Sequence, residues 1–279
     1  MCAAGSEFVA ASFNVHAGID GWGRPHDVVG LCRQLDADVL VLQESWCPEG
    51  RPSLAAQVGP DLGYQVTEVT LASGRRAGPD PAASSRWMRP LDWRTTSHAI
   101  FLDSERPFPA RVVSSDRFRL AEPGCWGVAV LSRLPIVDTE VIALKRLRRD
   151  RANRAVVALN VEVDGRRVGI AGTHMSHLSH GSALHFRAVA RMLDGVFGDE
   201  PVLLAGDMNL WGPPIHALLG QWHRAVKGKT WPAWRPHSQL DHLLVRGLTV
   251  RESGVWPTSG SDHRPVWARL ALERPPIGR

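Results

Sequence analysis

Pro201-Val202-Leu203-Leu204-Ala205-Gly206-Asp207-Met208-Asn209-Leu210-Trp211-Gly212-Pro213-Pro214 is the stretch whose reading decides the fold of this chain. Val202 to Ala205 form a short all-apolar run, the pattern of a strand buried on both faces, and Gly206 reads as its break. Asp207 and Asn209 follow at the mouth of a buried sheet. In extended backbone, positions two apart point to one side, so the two side chains can reach one small ligand together. A carboxylate and a carboxamide converging in this way suit a water molecule, a phosphate oxygen or a hard metal ion. The same residues also fit an Asp-x-Asn turn after a strand, so the rest of the chain has to decide.

Outward from this stretch the pattern repeats. Asp38 to Glu44 is an apolar run ending in an acid, and Val168 to His174 is one ending in a histidine. Phe8 to Phe13 reads as a first strand that delivers Asn14 and His16 to a glycine-rich loop, Ala17 to Pro25. Ser261-Asp262-His263 precedes the final strand. Neighbouring residues cannot face one side of a strand, so Asp262 and His263 need an irregular turn, which Gly260 and Pro265 favour.

Helices are expected over His26–Asp36, Ser53–Asp61 and Ser182–Phe197, and further strands over Tyr64–Leu71, Ser97–Leu102, Trp126–Ser132, Ile136–Leu144, Arg154–Val163, Leu240–Val245, Leu248–Val255 and Pro265–Leu272. Asp164-Gly165 is a hairpin turn signal. Ser73 to Thr96, rich in Gly, Pro, Ser and Arg, reads as a long surface excursion. Many strands with few helices suggest two sheets packed together with helices outside.

The 279 residues allow one large domain, expected over 1–279 with a core from about residue 6 to 273. A formal charge of +5 makes an anionic partner reasonable. Lys145, Arg146, Arg148, Arg149, Arg151 and Arg154 form a basic run opposed only by Asp150; it is either a solvated hairpin tip or a grip for phosphates. The four cysteines show no paired zinc or disulfide spacing, and no membrane span or signal peptide is apparent, so a soluble cytoplasmic protein is expected. His174, His177, His180 and His185 do not follow a recognised zinc spacing. Eleven tryptophans stand against one tyrosine, Tyr64. Most should be core, while Trp211, Trp231, Trp234 and Trp256 lie beside the polar motifs and could line a cleft.

Asn14, Gln43-Glu44, Gly127 to Arg133, Thr173-His174, Gly206 to Asn209, Leu240-Asp241-His242 and Ser261-Asp262-His263 together resemble the endonuclease/exonuclease/phosphatase superfamily, in its order and over about Ser12 to Leu272. The resemblance implies an α/β fold, a four-layer α/β sandwich of two packed mixed β-sheets flanked by helices, with the active site at one edge of the paired sheets. It implies phosphoester hydrolysis assisted by a divalent metal, Mg2+ with Mn2+ as a substitute. Glu44 would be the principal metal ligand, with Asn14 and Asp262 close to the metal. Asp207 would orient or deprotonate the attacking water, and Asn209 would hold that water or the phosphate. His174 would contact a phosphate oxygen or act as general acid. His263 would be base or stabiliser of the phosphorane charge, its tautomer held by Asp241. Arg154 matches an arginine frequent in the superfamily and is the expected phosphate contact.

Tyr64 lies too early to match the cleft tyrosine of abasic-site endonucleases. Pro232-Ala233-Trp234 only partly matches inositol polyphosphate 5-phosphatases, and no membrane-inserting apolar hairpin is evident. The expectation is therefore a metal-dependent phosphodiesterase with nucleic acid as substrate and no protein partner. The alternatives are a hydrolase of small or lipid phosphoesters and a catalytically silent phospho-ligand-binding domain.

Overall fold

The computed structural model describes residues 6–20, 23–78, 100–104, 107–108, 110–177, 183–257 and 260–272. Among these, a seven-stranded sheet runs in spatial order β12 (Leu248–Val255), β13 (Val266–Leu272), β1 (Glu7–Asn14), β2 (Val39–Pro48), β5 (Glu122–Ser132), β3 (Gln65–Arg76) and β4 (Ile100–Leu102). A six-stranded sheet runs β10 (His223–Arg224), β11 (Asp241–Arg246), β9 (Val202–Asp207), β8 (Arg166–His174), β7 (Arg154–Val163) and β6 (Ile136–Leu144). The pairs β1·β2 and β8·β9 are parallel and the others antiparallel, so both sheets are mixed.

Side-chain alternation explains why the sheets stack. Phe8 and Ala10 of β1, Val39 and Val41 of β2, Ile170 of β8, Leu203 and Ala205 of β9 and Leu243 of β11 share one core between the sheets. The intervening residues face outward. Ala11, Phe13, Leu40 and Leu42 pack under α1 (Val28–Leu35) and α2 (Leu54–Leu62), while Val202, Leu204 and Leu244 pack under α5 (Ala183–Phe197) and α6 (Gly212–Leu218). The result is the four-layer α/β sandwich that the sequence predicts. Each fully buried Leu, Val or Phe contributes about 1.5–3 kcal/mol relative to an exposed one, and the inner layer collects them from nearly every strand. At Gly172 a Cβ would lie 2.3 Å from Val130 Cγ2 of the opposite sheet, so glycine there lets the sheets approach closely.

Most expected elements are present, with boundaries shifted for local reasons. The first helix begins at Val28 because Asp27 caps it, accepting from Gly30 N at 2.7 Å. Ser53 likewise caps α2, accepting from Ala56 N at 2.9 Å. Asp164 and Gly165 take positive φ (49° and 75°), the conformation of a tight hairpin turn. Ser73 to Arg76 are not part of a loop: they continue β3, paired with β4 and β5. The rest of the expected excursion, from residue 79 on, lies outside the described residues.

Two helices not expected from the sequence, α3 (Ala110–Val113) and α4 (Asp116–Arg119), are too short to show a period. Helix α6, opening on Gly212-Pro213-Pro214, was likewise not expected. Proline in a first turn removes only an N–H that has no helical partner, so this dipeptide starts a helix. Among the described residues no helix is long and apolar enough to cross a membrane.

Candidate active site

Strand alternation and strand direction together build the site. Asn14, His174, Asp207 and Asp241 each extend the inward-facing row of their strand, and all four sit at the same open edge of the sandwich. β1, β8 and β9 bring their C-terminal ends there and antiparallel β11 its N-terminal end. Polar residues at the close of apolar rows are thus buried, with Asn14 at 1%, His174 at 3%, Asp207 at 2% and Asp241 at 0% exposure.

Three local irregularities complete the set. In regular alternation Glu44 would face the helix layer, because Val39 and Val41 face inward. A bulge between Gln43 and Ser45, with Glu44 at φ 58°, turns it toward Asn14 Nδ2, which donates to Glu44 Oε1 at 3.1 Å. The strand therefore does not end in this acid, as its apolar run suggests, but continues to Pro48. Gly206 likewise does not break β9; the strand runs through to Asp207, and glycine is needed because a Cβ would meet Thr173 O at 2.0 Å. Asn209 reaches the site through a left-handed residue (φ 48°) and its own backbone N–H, which donates to Asp207 Oδ1 at 2.8 Å. The turn and the ligand-facing pair, alternatives on the sequence, are one structure here.

Asp207 Oδ2 is the meeting point. It accepts from Asn14 Nδ2 at 3.1 Å and lies 3.5 Å from His174 Nε2 and 3.7 Å from His263 Nε2. His263 Nδ1 donates to Asp241 Oδ2 at 2.8 Å. The irregular turn carrying His263 is pinned by Ser261 Oγ, which donates to Asn14 O at 2.7 Å and accepts from His263 N at 3.2 Å. Asp262 accepts from Trp231 Nε1 at 3.3 Å and faces His16 Nδ1 at 3.9 Å. Asn209 Nδ2 donates to Met175 O at 3.0 Å and lies 3.2 Å from His174 Nε2.

The charges follow from this packing. Burial and the Asp241 charge push Asp207 above the usual carboxylate range, against the pull of His263. Burial lowers His263, but Asp241, Asp207 and Asp262 more than offset it and hold the imidazole well above its ordinary value. His174 falls well below, through burial and then the Arg154 and His263 charges, and is neutral. Asp207, Asp241 and His263 each offer a ligand atom within 4.8 Å of the others, and Asp241 Oδ1 has no hydrogen-bond partner among the described residues. With Glu44 across Asn14, this is an oxygen-rich set with unmet acceptor capacity, which fits a hard divalent cation.

Arg154, expected to contact phosphate, is buried at 8% and committed elsewhere. Its Nε and Nη2 donate to Asp150 at 2.8 and 3.1 Å and its Nη1 to His174 O at 3.2 Å, while the guanidinium lies over Trp126. Trp126, whose ring is 4.9 Å from that of His174, carries no motif that would mark it in the sequence, whereas the place of His16 two residues after Asn14 is a usable signal of its position in the site. His185 packs away from the site, on Lys145 O at 2.7 Å. His177 is exposed, and His180 lies outside the described residues. Of the flagged tryptophans, Trp231 holds Asp262, Trp211 is 49% exposed just past Asn209, and Trp256 packs against the outer face of the first sheet.

The model of the Endonuclease/Exonuclease/phosphatase family matches residues 11–263, from β1 through His263. The chain belongs to this family. Its members are phosphoester hydrolases dependent on a divalent metal. It is 31% identical over 113 residues to a UPF0294 protein of Yersinia pseudotuberculosis, a match covering 37% of this chain and 42% of that protein. The matched stretch thus spans less than half the length of that relative. Among solved structures, an endonuclease/exonuclease/phosphatase from Beutenbergia cavernae superposes with TM-score 0.64 at 19% identity, over 98% of this chain and 73% of that one. The mannosyl-6-phosphatase of Bacteroides thetaiotaomicron gives 0.60 at 15% identity, over 95% and 100%. At such identities the likeness shows the fold alone.

Proposed function

We propose that this chain is a magnesium-dependent phosphodiesterase, with manganese as a substitute, that cleaves nucleic acid by attack of an activated water. The observation that carries the reading is the convergence on Asp207 Oδ2 of Asn14, His174 and an Asp241-held His263. Glu44 and Asn14 would hold the metal with Asp262 nearby, and the bound metal would polarise the phosphoryl oxygens. Asp207 takes the proton of the attacking water and Asn209 orients that water or the phosphate. The cationic His263 faces the negative charge that develops on the phosphoryl oxygens. Neutral His174 offers a hydrogen bond to a phosphate oxygen rather than a net proton. Arg154 supports substrate binding from behind, through the His174 carbonyl.

Nucleic acid is favoured by the loop between β6 and β7. Lys145, Arg146, Arg148 and Arg149 are exposed, while Leu147 and Asp150 are buried and hold the loop beside the His174 strand end. A fixed row of cations next to the site suits a substrate with several phosphates. A double substitution, Arg148→Glu with Arg149→Glu, is expected to reduce the slope of log kcat/KM against log salt by about 2 for an oligonucleotide, and to affect a small diester less. An unchanged salt slope would remove the loop from substrate binding.

A second reading, a lipid phosphodiester substrate, is favoured by Leu120, Leu184 and Trp211, exposed at 84%, 66% and 49% on segments leaving the same edge. The deciding experiment offers wild type and Asp207→Asn, with magnesium or manganese, DNA, RNA, a small diester, inositol phosphates and sphingomyelin vesicles. Metal-dependent strand cleavage lost in the variant supports the proposal. Turnover of vesicles alone transfers it to the lipid reading, and release of phosphate from monoesters alone sinks both. Glu44→Gln is expected to raise the magnesium concentration for half-maximal activity by about 10-fold or more, read from a kinetic titration in which an unaltered midpoint would exclude Glu44 as a ligand.

A further inference from the structure

We propose that Cys47 and Cys125 form a dithiol site that peroxides oxidise to an intramolecular disulfide. The two residues are 78 positions apart in sequence intervals not suggestive of pairing, but β2 and β5 bring them directly opposite each other. Directly opposed residues project from the same face of an antiparallel pair. The parity of the ladder is fixed by Glu49 N, which donates to Pro123 O at 3.1 Å two residues further along. The Cys47–Cys125 pair therefore has hydrogen-bonded-pair geometry, with Cα atoms about 5.5 Å apart, inside the span a disulfide bridges. Both thiols are half-buried and line one open cavity of about 620 Å³ with Arg51, Ser73, Gly74 and Asp103, so a small oxidant can reach them.

The thiols are not equivalent. Cys47 Sγ donates to Arg51 O at 3.4 Å, and its thiol is raised by burial first and then by the Glu68 and Cys125 charges. Cys125 thus attacks the peroxide, breaking the O–O bond to give a sulfenic acid and one water, and Cys47 then displaces a second water to form the S–S bond. Two thiols and one hydrogen peroxide yield one disulfide and two waters, so the electrons balance. Buried Cys32, raised to about 12, is an inert internal reference. The next residue pair in the ladder is Trp46 with Trp126, whose ring touches His174, so the crosslink would lie one step from the site.

The test treats the reduced full chain with hydrogen peroxide and digests it without reduction. A peptide pair joined through Cys47 and Cys125, lost on adding dithiothreitol, is the expected result. Cys47→Ser should leave Cys125 as a sulfenic acid trapped by dimedone, whereas Cys125→Ser should leave Cys47 untrapped. The proposal is overturned if peroxide consumes thiol while the wild-type digest contains no such linked pair, or if the link forms only between molecules.

Discussion

Asp207→Asn is expected to lower kcat by about 10²–10⁴-fold, the range for loss of a positioned proton acceptor, without lowering thermal stability. The carboxamide keeps the acceptor for Asn209 N, but its neutral group cannot take a proton from water and places N–H against Asn14 Nδ2. Stability should hold or rise. Asp207 is 2% exposed and its ionisation is opposed by burial and by Asp241, so an uncharged isostere relieves a cost that function imposes. The pH profile carries the sign. A carboxyl raised above its ordinary value loses its base form as pH falls through that raised value, so the acid limb of wild-type kcat/KM should lie well above the ordinary range of about 4. His263, raised by its three acidic neighbours, loses its cation as pH rises through its own elevated value, giving an alkaline limb. Rate measurements across pH with a melting curve at each point check both. If the variant retains wild-type kcat, or if its residual activity keeps the acid limb, Asp207 is not the proton acceptor.

Much of the fold was legible because apolar periodicity reports directly on which face of a strand is buried. The runs ending at Asn14 and His174 could be read off the sequence as apolar stretches closing on a polar residue, whereas Gly206 looked like the end of its run and hid the continuation of β9 to Asp207. Glu44 obeys a different rule. Its inward aim depends on a bulge, and nothing in Val-Leu-Val-Leu-Gln-Glu announces a residue at positive φ. The pairing of His263 with Asp241 depends on two segments meeting across the sheets, which motif order could indicate by resemblance but local pattern could not. Arg154 was misread for an electrostatic reason. At a strand start that closes a basic run it looks available to a substrate, and only the structure shows the acid four residues before it folded back onto its guanidinium. Cysteine spacing failed in the same way, because register is a property of two strands and not of either one.

Asp150→Ala is expected to cost about 3–5 kcal/mol, the range for removing one partner of a buried ion pair, making it the most destabilising of the substitutions considered. Asp150 and Arg154 have side-chain exposures of only 4% and 9%, so solvent screens the pair little. Asp150 also accepts from Ala152 N at 3.2 Å and from the Ser176 hydroxyl, so its loss strands several donors with the guanidinium. Burial alone would raise this carboxyl, but the Arg154 hydrogen bonds and charge win and hold it at about 2. The sign follows. A depressed carboxyl contributes stability that is complete above its unfolded value and lost as pH falls through its folded one, here roughly 2 kcal/mol disappearing between about pH 4 and 2. Replacing both partners, Asp150→Leu with Arg154→Met, leaves no unpaired buried charge and should recover part of the loss. Urea unfolding of the two single variants and the double at pH 7, repeated for wild type down to pH 2, measures all of this. Activity should fall less than in Asp207→Asn, because Arg154 reaches the reacting groups only through the His174 carbonyl and the Trp126 ring. Additive losses in the double variant would show that the two side chains stabilise the fold independently, and His174 would then need another account of how it is held.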